Sequence, residues 1–148
     1  MRRGREVFSG AVWRIKMEKY DLIVIGAGPG GYVAAIKAAK LGMNTAIVEG
    51  IRAGGTCLNR GCIPAKAMIH ASGLYREMLN EAGAVGLQAD HVSFDYKKIT
   101  EYKQSVTDEL VSGVEAWLDG NGVTRYDGRG VLEADKSVTV YDAEGSNT

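Results

Sequence analysis

The sequence predicts an α/β fold that opens with a β-α-β unit. Three observations carry this. A β-branched apolar run, Asp21 to Ile25, leads directly into a glycine-rich turn, Gly26 to Gly31. An Ala-rich stretch with helical spacing follows. A second apolar run, Thr45 to Val48, then closes on a carboxylate, Glu49.

Residues 1–16 stand apart from this pattern. Arg2, Arg3, Arg5, Arg14 and Lys16 face a single acid, Glu6. An Arg-rich, acid-poor start is a feature of organellar transit peptides. The plainer reading is an upstream extension, with Met17 as the start of the folded part. From there, Asp21 to Ile25 suits a strand buried on both faces. Tyr32 to Leu41, with Val33, Ile36 and Ala39, reads as an amphipathic helix, and Gly42 ends it as a C-cap glycine does. Thr45 to Val48 is the second buried strand. Gly50 to Gly61 reads as a loop that carries the first cysteine. Ile63 to about Leu79 is expected to be helical, with Pro64 in its first turn.

A polar connection from Asn80 to Ser93 leads to a long helix from about Tyr96 to Leu118. Its apolar positions are Ile99, Tyr102, Val106, Leu110, Val114 and Trp117. Asp119-Gly120-Asn121-Gly122 stops it. The tail reads as a small antiparallel meander of Val123–Tyr126, Gly130–Glu133 and Ser137–Tyr141, with 134–136 as its last turn.

Composition excludes several functions. The chain has 18 basic and 18 acidic residues, which predicts neither nucleic acid nor an anionic membrane surface as partner. No apolar run approaches the ~20 residues of a membrane helix. Two cysteines are too few for a secreted disulfide scaffold, so a cytoplasmic location is expected.

The turn has the form Gly26-x-Gly28-x-x-Gly31. In a dinucleotide-binding unit the first glycine allows the tight turn and the second lets the backbone approach a pyrophosphate. The third lets helix and strand pack closely. The helix N-terminus then offers free N–H groups to the phosphates. Glu49 stands at about the ~20-residue separation of the acid that binds ribose hydroxyls. A carboxylate there fits FAD or NAD better than NADP. The plainer reading is a glycine-rich turn of another α/β fold, and the strand–turn–helix–strand order argues against it.

Cys57 and Cys62 lie in Gly54-Gly55-Thr56-Cys57-Leu58-Asn59-Arg60-Gly61-Cys62-Ile63-Pro64-Ala65-Lys66. Five residues of regular helix advance about 7.5 Å. Bridged Cα atoms are seldom more than about 6.8 Å apart. Both cysteines therefore cannot sit in one regular helix and be bridged. Three readings stand at this point. A metal site would need ligands beyond the two cysteines, and only His70 and His91 remain to supply them, which argues against it. A structural bridge over so short a loop adds little stability. A redox pair near a helix N-terminus would gain thiolate character from the helix dipole.

Together the two segments resemble the pyridine nucleotide–disulfide oxidoreductases with a C-x4-C pair. Cys57-Leu58-Asn59 and Cys62-Ile63-Pro64 are most similar to the dihydrolipoyl dehydrogenase branch. Glutathione and mercuric reductases more often have Val at the positions of Leu58 and Ile63. The resemblance covers about residues 17–141. It implies a Rossmann-like FAD-binding domain and a redox disulfide between Cys57 and Cys62. It makes Cys62 the flavin-facing thiol and Cys57 the outer thiol that exchanges with substrate. It implies cofactor contacts from Gly26, Gly28, Gly31, Glu49 and Thr56, from Lys66 near the flavin ring, and from Gly130 in Gly128-x-Gly130. The plainer reading of Lys66 is a solvated helix lysine.

The implied reaction is oxidation of a protein-bound dihydrolipoyl group, with electrons passing through the disulfide and FAD to NAD. The implied partners are the acyltransferase of a 2-oxoacid dehydrogenase complex or the glycine cleavage carrier, and a second copy of the enzyme as a homodimer. A related reductase of glutathione, mercuric or transhydrogenase type, or a non-catalytic nucleotide-binding remnant, are the alternatives. The resemblance also implies that residues 17–148 are the N-terminal portion of the FAD-binding domain. The NAD-binding and dimerisation domains would lie beyond Thr148. Such a portion is expected to leave strand edges uncovered, and to fold poorly or bind FAD weakly alone.

Overall fold

The structure, a computed structural model, describes residues 17–142; the Arg-rich start lies outside the described residues. The first strand, β1 (Leu22–Ile25), is followed by helix α1 (Pro29–Lys40) and strand β2 (Thr45–Glu49). β1 and β2 pair in parallel, from Leu22 opposite Thr45 to Ile25 opposite Val48. The β-α-β expectation is therefore met, but β1 is not buried on both faces: it is the edge of the described sheet, half-buried along its length with Ile25 exposed. α1 starts earlier than Tyr32, because Pro29 takes the first helical position and carries Gly30 and Gly31 into the first turn. Glycine's low helix propensity hides this in the sequence.

Two helices follow, α2 (Gly55–Asn59) and α3 (Cys62–Asn80), then a 3-10 turn (Ala82–Val85) and the long helix α4 (Tyr96–Gly120). Asp95 caps α4, its carboxylate accepting from the N–H groups of Lys97 at 2.9 Å and Lys98 at 3.2 Å. The buried face of α4 is Thr107, Val111, Val114 and Leu118. The expected stripe shares only Val114 with it, and Tyr102, Leu110 and Trp117 are exposed. Apolar residues cover more than one face of this helix, so periodicity alone does not select the face that meets the core.

Strand β3 (Thr124–Asp127) pairs with β2 in parallel, from Ala46 opposite Thr124 to Glu49 opposite Asp127. The sheet order is β1-β2-β3. This corrects the expected three-stranded meander. Thr-Arg-Tyr-Asp has no apolar run, so it reads as a hairpin arm. The long helical excursion after β2 instead returns the chain for a parallel crossover. Only β4 (Arg129–Leu132) and β5 (Val138–Tyr141) form an antiparallel ladder. Gly128, at φ +151, turns the chain from one sheet to the other.

The core joins α1, the sheet and α4: Ala35, Ile36, Ile47, Val111, Val114, Leu118 and Val123. Ala27, Ala53 and Leu58 belong to the same cluster, so the glycine turn and the cysteine segment are rooted in it. Among the described residues, no helix is long and apolar enough to cross a membrane.

Leu118 is 0 % exposed at the centre of this core. Leu118→Ala is expected to lower stability by about 3 kcal/mol, the usual cost of a core cavity. The denaturant midpoint should fall accordingly in equilibrium unfolding, with Leu41→Ala, at an exposed helix end, changing little. Equal small shifts for both variants would contradict this packing.

Candidate functional site

The site begins at the end of β1. Gly26 takes φ +96, a left-handed conformation that favours glycine. A Cβ at Gly31 would collide with the Gly26 carbonyl oxygen, so the third glycine is required by the packing of α1 on the turn. Gly28 is different. Its φ is −70, and a Cβ there would meet only Gly55 Cα, at 3.9 Å. Neither backbone nor packing in this chain demands a glycine at position 28. No side chain caps the N-terminus of α1, and its first turn holds no acid. Its first N–H groups therefore lack intrahelical acceptors.

Both backbone polar groups of Ala27 are held. Its N–H donates to Glu49 Oε2 at 2.9 Å, and its carbonyl accepts from the Gly54 N–H at 2.7 Å. The other oxygen of Glu49, Oε1, accepts from the Ile51 N–H at 2.9 Å. Glu49 thus links the glycine turn to the segment after β2. A cavity of about 90 Å³ lies beside it, lined by residues that include Arg52, Ala53, Arg125 and Asp127. Arg52 reaches Asp108 on α4 at 2.8 Å and holds that carboxyl below its ordinary range, with help from Gln104.

Gly54 and Gly55, at φ +95 and +57, reverse the chain and start α2. A Cβ on Gly55 would lie 2.7 Å from Gly28 Cα, so the glycine turn and the cysteine segment touch backbone to backbone. Cys57 sits inside α2, where the sequence suggested loop throughout Gly50–Gly61. A five-residue helix behind two glycines is too short to show a period. Arg60 and Gly61 break the chain between helices, and Cys62 is the first residue of α3. The break satisfies the geometric condition that one regular helix could not.

The two cysteines carry free thiols, with Cys57 half-buried against the core and Cys62 exposed. They are hydrogen-bonded to each other, and that bond, with burial second, raises the Cys57 thiol above its ordinary value. The Lys66 charge acts in the opposite direction, more weakly. The long helix that starts at the pair is α3, with Cys62 as its first residue. No cluster of metal-ligating side chains occurs among the described residues.

Gly26, Gly28, Gly31, Glu49, Thr56 and Cys57 thus converge where β1, β2 and α2 meet. Lys66 lies one turn along α3 from Cys62 and is exposed. Gly130 is on β4, and a Cβ there would press on Ile25 and Val48 at 3.2 Å. Sequence reasoning missed Asn59, whose amide donates to the carbonyls of Ala53 and Gly55, both at 2.9 Å. Its signal was an Asn closing a glycine-rich turn, a residue type that bonds nearby backbone.

Residues 20–147 match the family described as pyridine nucleotide-disulphide oxidoreductase. The chain belongs to this family. It is 46% identical over 128 residues to a dihydrolipoyl dehydrogenase of Staphylococcus aureus, covering 86% of this chain and 27% of that protein. A dihydrolipoyl dehydrogenase of Pseudomonas aeruginosa is 45% identical over 131 residues, covering 87% and 28%. The crystal structure of LpdA from Mycobacterium tuberculosis superposes with a TM-score of 0.77 at 26% identity, over 86% of this chain and 29% of that one. The chain therefore spans little more than a quarter of the length of these relatives.

Replacing Cys62 by alanine removes the largest cause that raises the Cys57 thiol and leaves Lys66 in place. The pH midpoint for alkylation of Cys57 should move down in Cys62→Ala, measured as iodoacetamide rate against pH. A midpoint that stays or rises would contradict the thiol–thiol bond.

Proposed function

We propose that this chain holds FAD and the redox disulfide of an enzyme that oxidises protein-bound dihydrolipoyl groups with NAD. One observation carries the reading: the nucleotide-type glycine turn and the C-x4-C pair share a wall, joined by the Gly54–Ala27 hydrogen bond and the Gly28–Gly55 contact. The identity of 45–46% to dihydrolipoyl dehydrogenases supports the choice of substrate class.

The residues fit an FAD. Gly28 lacks a side chain that nothing within the chain forbids, which is expected where a pyrophosphate needs the space. The uncapped N-terminus of α1 supplies N–H donors to it. Glu49 would take the ribose, while Thr56, Lys66 and Gly130 would provide the remaining contacts. When bound, FAD supplies the ring system that takes an electron pair from the dithiol and hands it to NAD.

The chain's own residues perform the thiol exchange. A dihydrolipoyl thiolate attacks Sγ of Cys57 in the Cys57–Cys62 disulfide. The bond between the cysteines breaks, and Cys62 leaves as a thiolate. The second substrate thiol then attacks its own sulfur in the mixed disulfide, closing the lipoyl ring and freeing Cys57. Two electrons have entered the pair, and the two protons of the substrate dithiol pass to solvent, from which the freed cysteine thiolates can be reprotonated. Lys66, whose charge favours the thiolate of Cys57, assists the departure of that sulfur. The partners that bring such a group are the acyltransferase of a 2-oxoacid dehydrogenase complex or the glycine cleavage carrier. A homodimer is the proposed assembly, and the cytoplasm, which keeps thiols exchangeable, the proposed location.

The test is a rate comparison on the full protein with dihydrolipoamide plus NAD and with oxidised glutathione plus a reduced nicotinamide. Dihydrolipoamide should be the faster substrate by orders of magnitude. Cys62→Ser should abolish its oxidation while the visible flavin spectrum persists. Preference for glutathione would move the chain to another branch of the family. Absence of flavin from the native protein would indicate a non-catalytic remnant.

A further inference from the structure

We infer that Asn59 is a positioning residue for the cysteine pair, an amide clamp that sets how readily Cys57 and Cys62 close into a disulfide. The inference rests on the redox reading above and adds a residue to it. Both hydrogens of the Asn59 side-chain amide are used, on Ala53 O and Gly55 O, each at 2.9 Å. These two carbonyls flank Gly54, where the chain reverses at φ +95. The amide therefore ties the last residue of α2 to the start of the reversal and closes a ring of backbone, residues 53–59. Cys57 lies inside that ring.

The rest of the ring is anchored. Ala53 and Leu58 are buried in the core. Gly54 donates to Ala27 O, which fixes the reversal to the glycine turn. On the far side, the chain has only Arg60 and Gly61 before Cys62 starts α3. Gly61 sits close to the ring, since a Cβ there would be 3.1 Å from Thr56 O. The clamp thus stands between the anchored ring and the break that lets the sulfurs meet. α2 has five residues, far fewer than the ~12 at which a helix begins to hold its own shape in water. Its conformation must come from such ties.

The consequence concerns an equilibrium. Forming the disulfide removes two electrons and two protons from the Cys57 and Cys62 thiols. In the test reaction they pass to oxidised dithiothreitol, which becomes the dithiol. A ring held in place has already lost the freedom that bridging removes. A loosened ring must lose it on closure, so the dithiol side gains.

The experiment uses the full protein, wild type and variants, equilibrated in dithiothreitol buffers of graded redox ratio, with thiols trapped and counted by mass. Asn59→Ala removes the clamp. Asn59→Asp keeps the shape but loses both donors and sets a carboxylate against two carbonyls. Asn80→Ala, which loses an exposed amide bond to Arg76 O, is the control. The expected result is a closure constant lower by about tenfold in Asn59→Ala, about 30 mV for this two-electron couple, and lower again in Asn59→Asp. Asn80→Ala should match the wild type, and all variants should keep a cooperative melt. Unchanged closure in both Asn59 variants overturns the inference. Loss of the cooperative melt assigns Asn59 to folding and also overturns it. If the wild-type pair itself never closes in any buffer, the redox reading fails, an outcome distinct from the other two.

Discussion

The site depends on how Ala27 is held. Its N–H is bound by the Glu49 carboxylate and its carbonyl by the Gly54 N–H, and the residue is 1 % exposed. A buried backbone group left unpaired costs about 1–3 kcal/mol, so each of these partners is required as well as favourable. One residue thereby joins three segments: the turn after β1, the end of β2 and the start of the cysteine-bearing helix. Because the last two are consecutive in sequence, the grip on Ala27 folds the stretch Glu49–Asn59 over the glycine turn. The thiols are carried to the turn by the backbone that Glu49 and Gly54 hold.

This arrangement gives Glu49 two possible uses of one carboxylate. Its oxygens each accept one backbone N–H and retain lone pairs for another donor. A ribose hydroxyl can therefore add to the existing bonds without displacing them. Arg52, three residues beyond Glu49, fastens the segment leading into Cys57 to α4 through Asp108, so the cysteine segment is supported from the side of the helices as well.

Much of this was legible in the sequence, and what was not has physical reasons. The β-α-β unit could be read because its strands are apolar runs, β2 is buried, and its turn needs glycine at Gly26 and Gly31 for reasons internal to the fold. The start of α4 near Tyr96 could be read from its helical spacing of apolar residues. The buried face of α4 could not be read, since Leu110 and Trp117 are as apolar as the Val111 and Leu118 that the core takes. The parallel pairing of β3 could not be read either, because Thr124–Asp127 is an edge strand whose partner is chosen by the length of the preceding excursion. In the site, the cysteines and glycines were visible as residue types. The role of Asn59 was not, because it depends on which carbonyls the fold brings within reach.

The central claim is that the glycine turn exists to hold a nucleotide beside the thiols, and Gly28 tests it most directly. A Cβ at this position meets no atom of the chain closer than 3.9 Å, so the fold has no objection to alanine. The measurement is flavin content per protein, with the melting temperature, for Gly28→Ala in the full protein. The account predicts an unchanged apoprotein melt and flavin content reduced at least about tenfold, since the methyl group would occupy the approach needed by the pyrophosphate. Full flavin content in Gly28→Ala would contradict it.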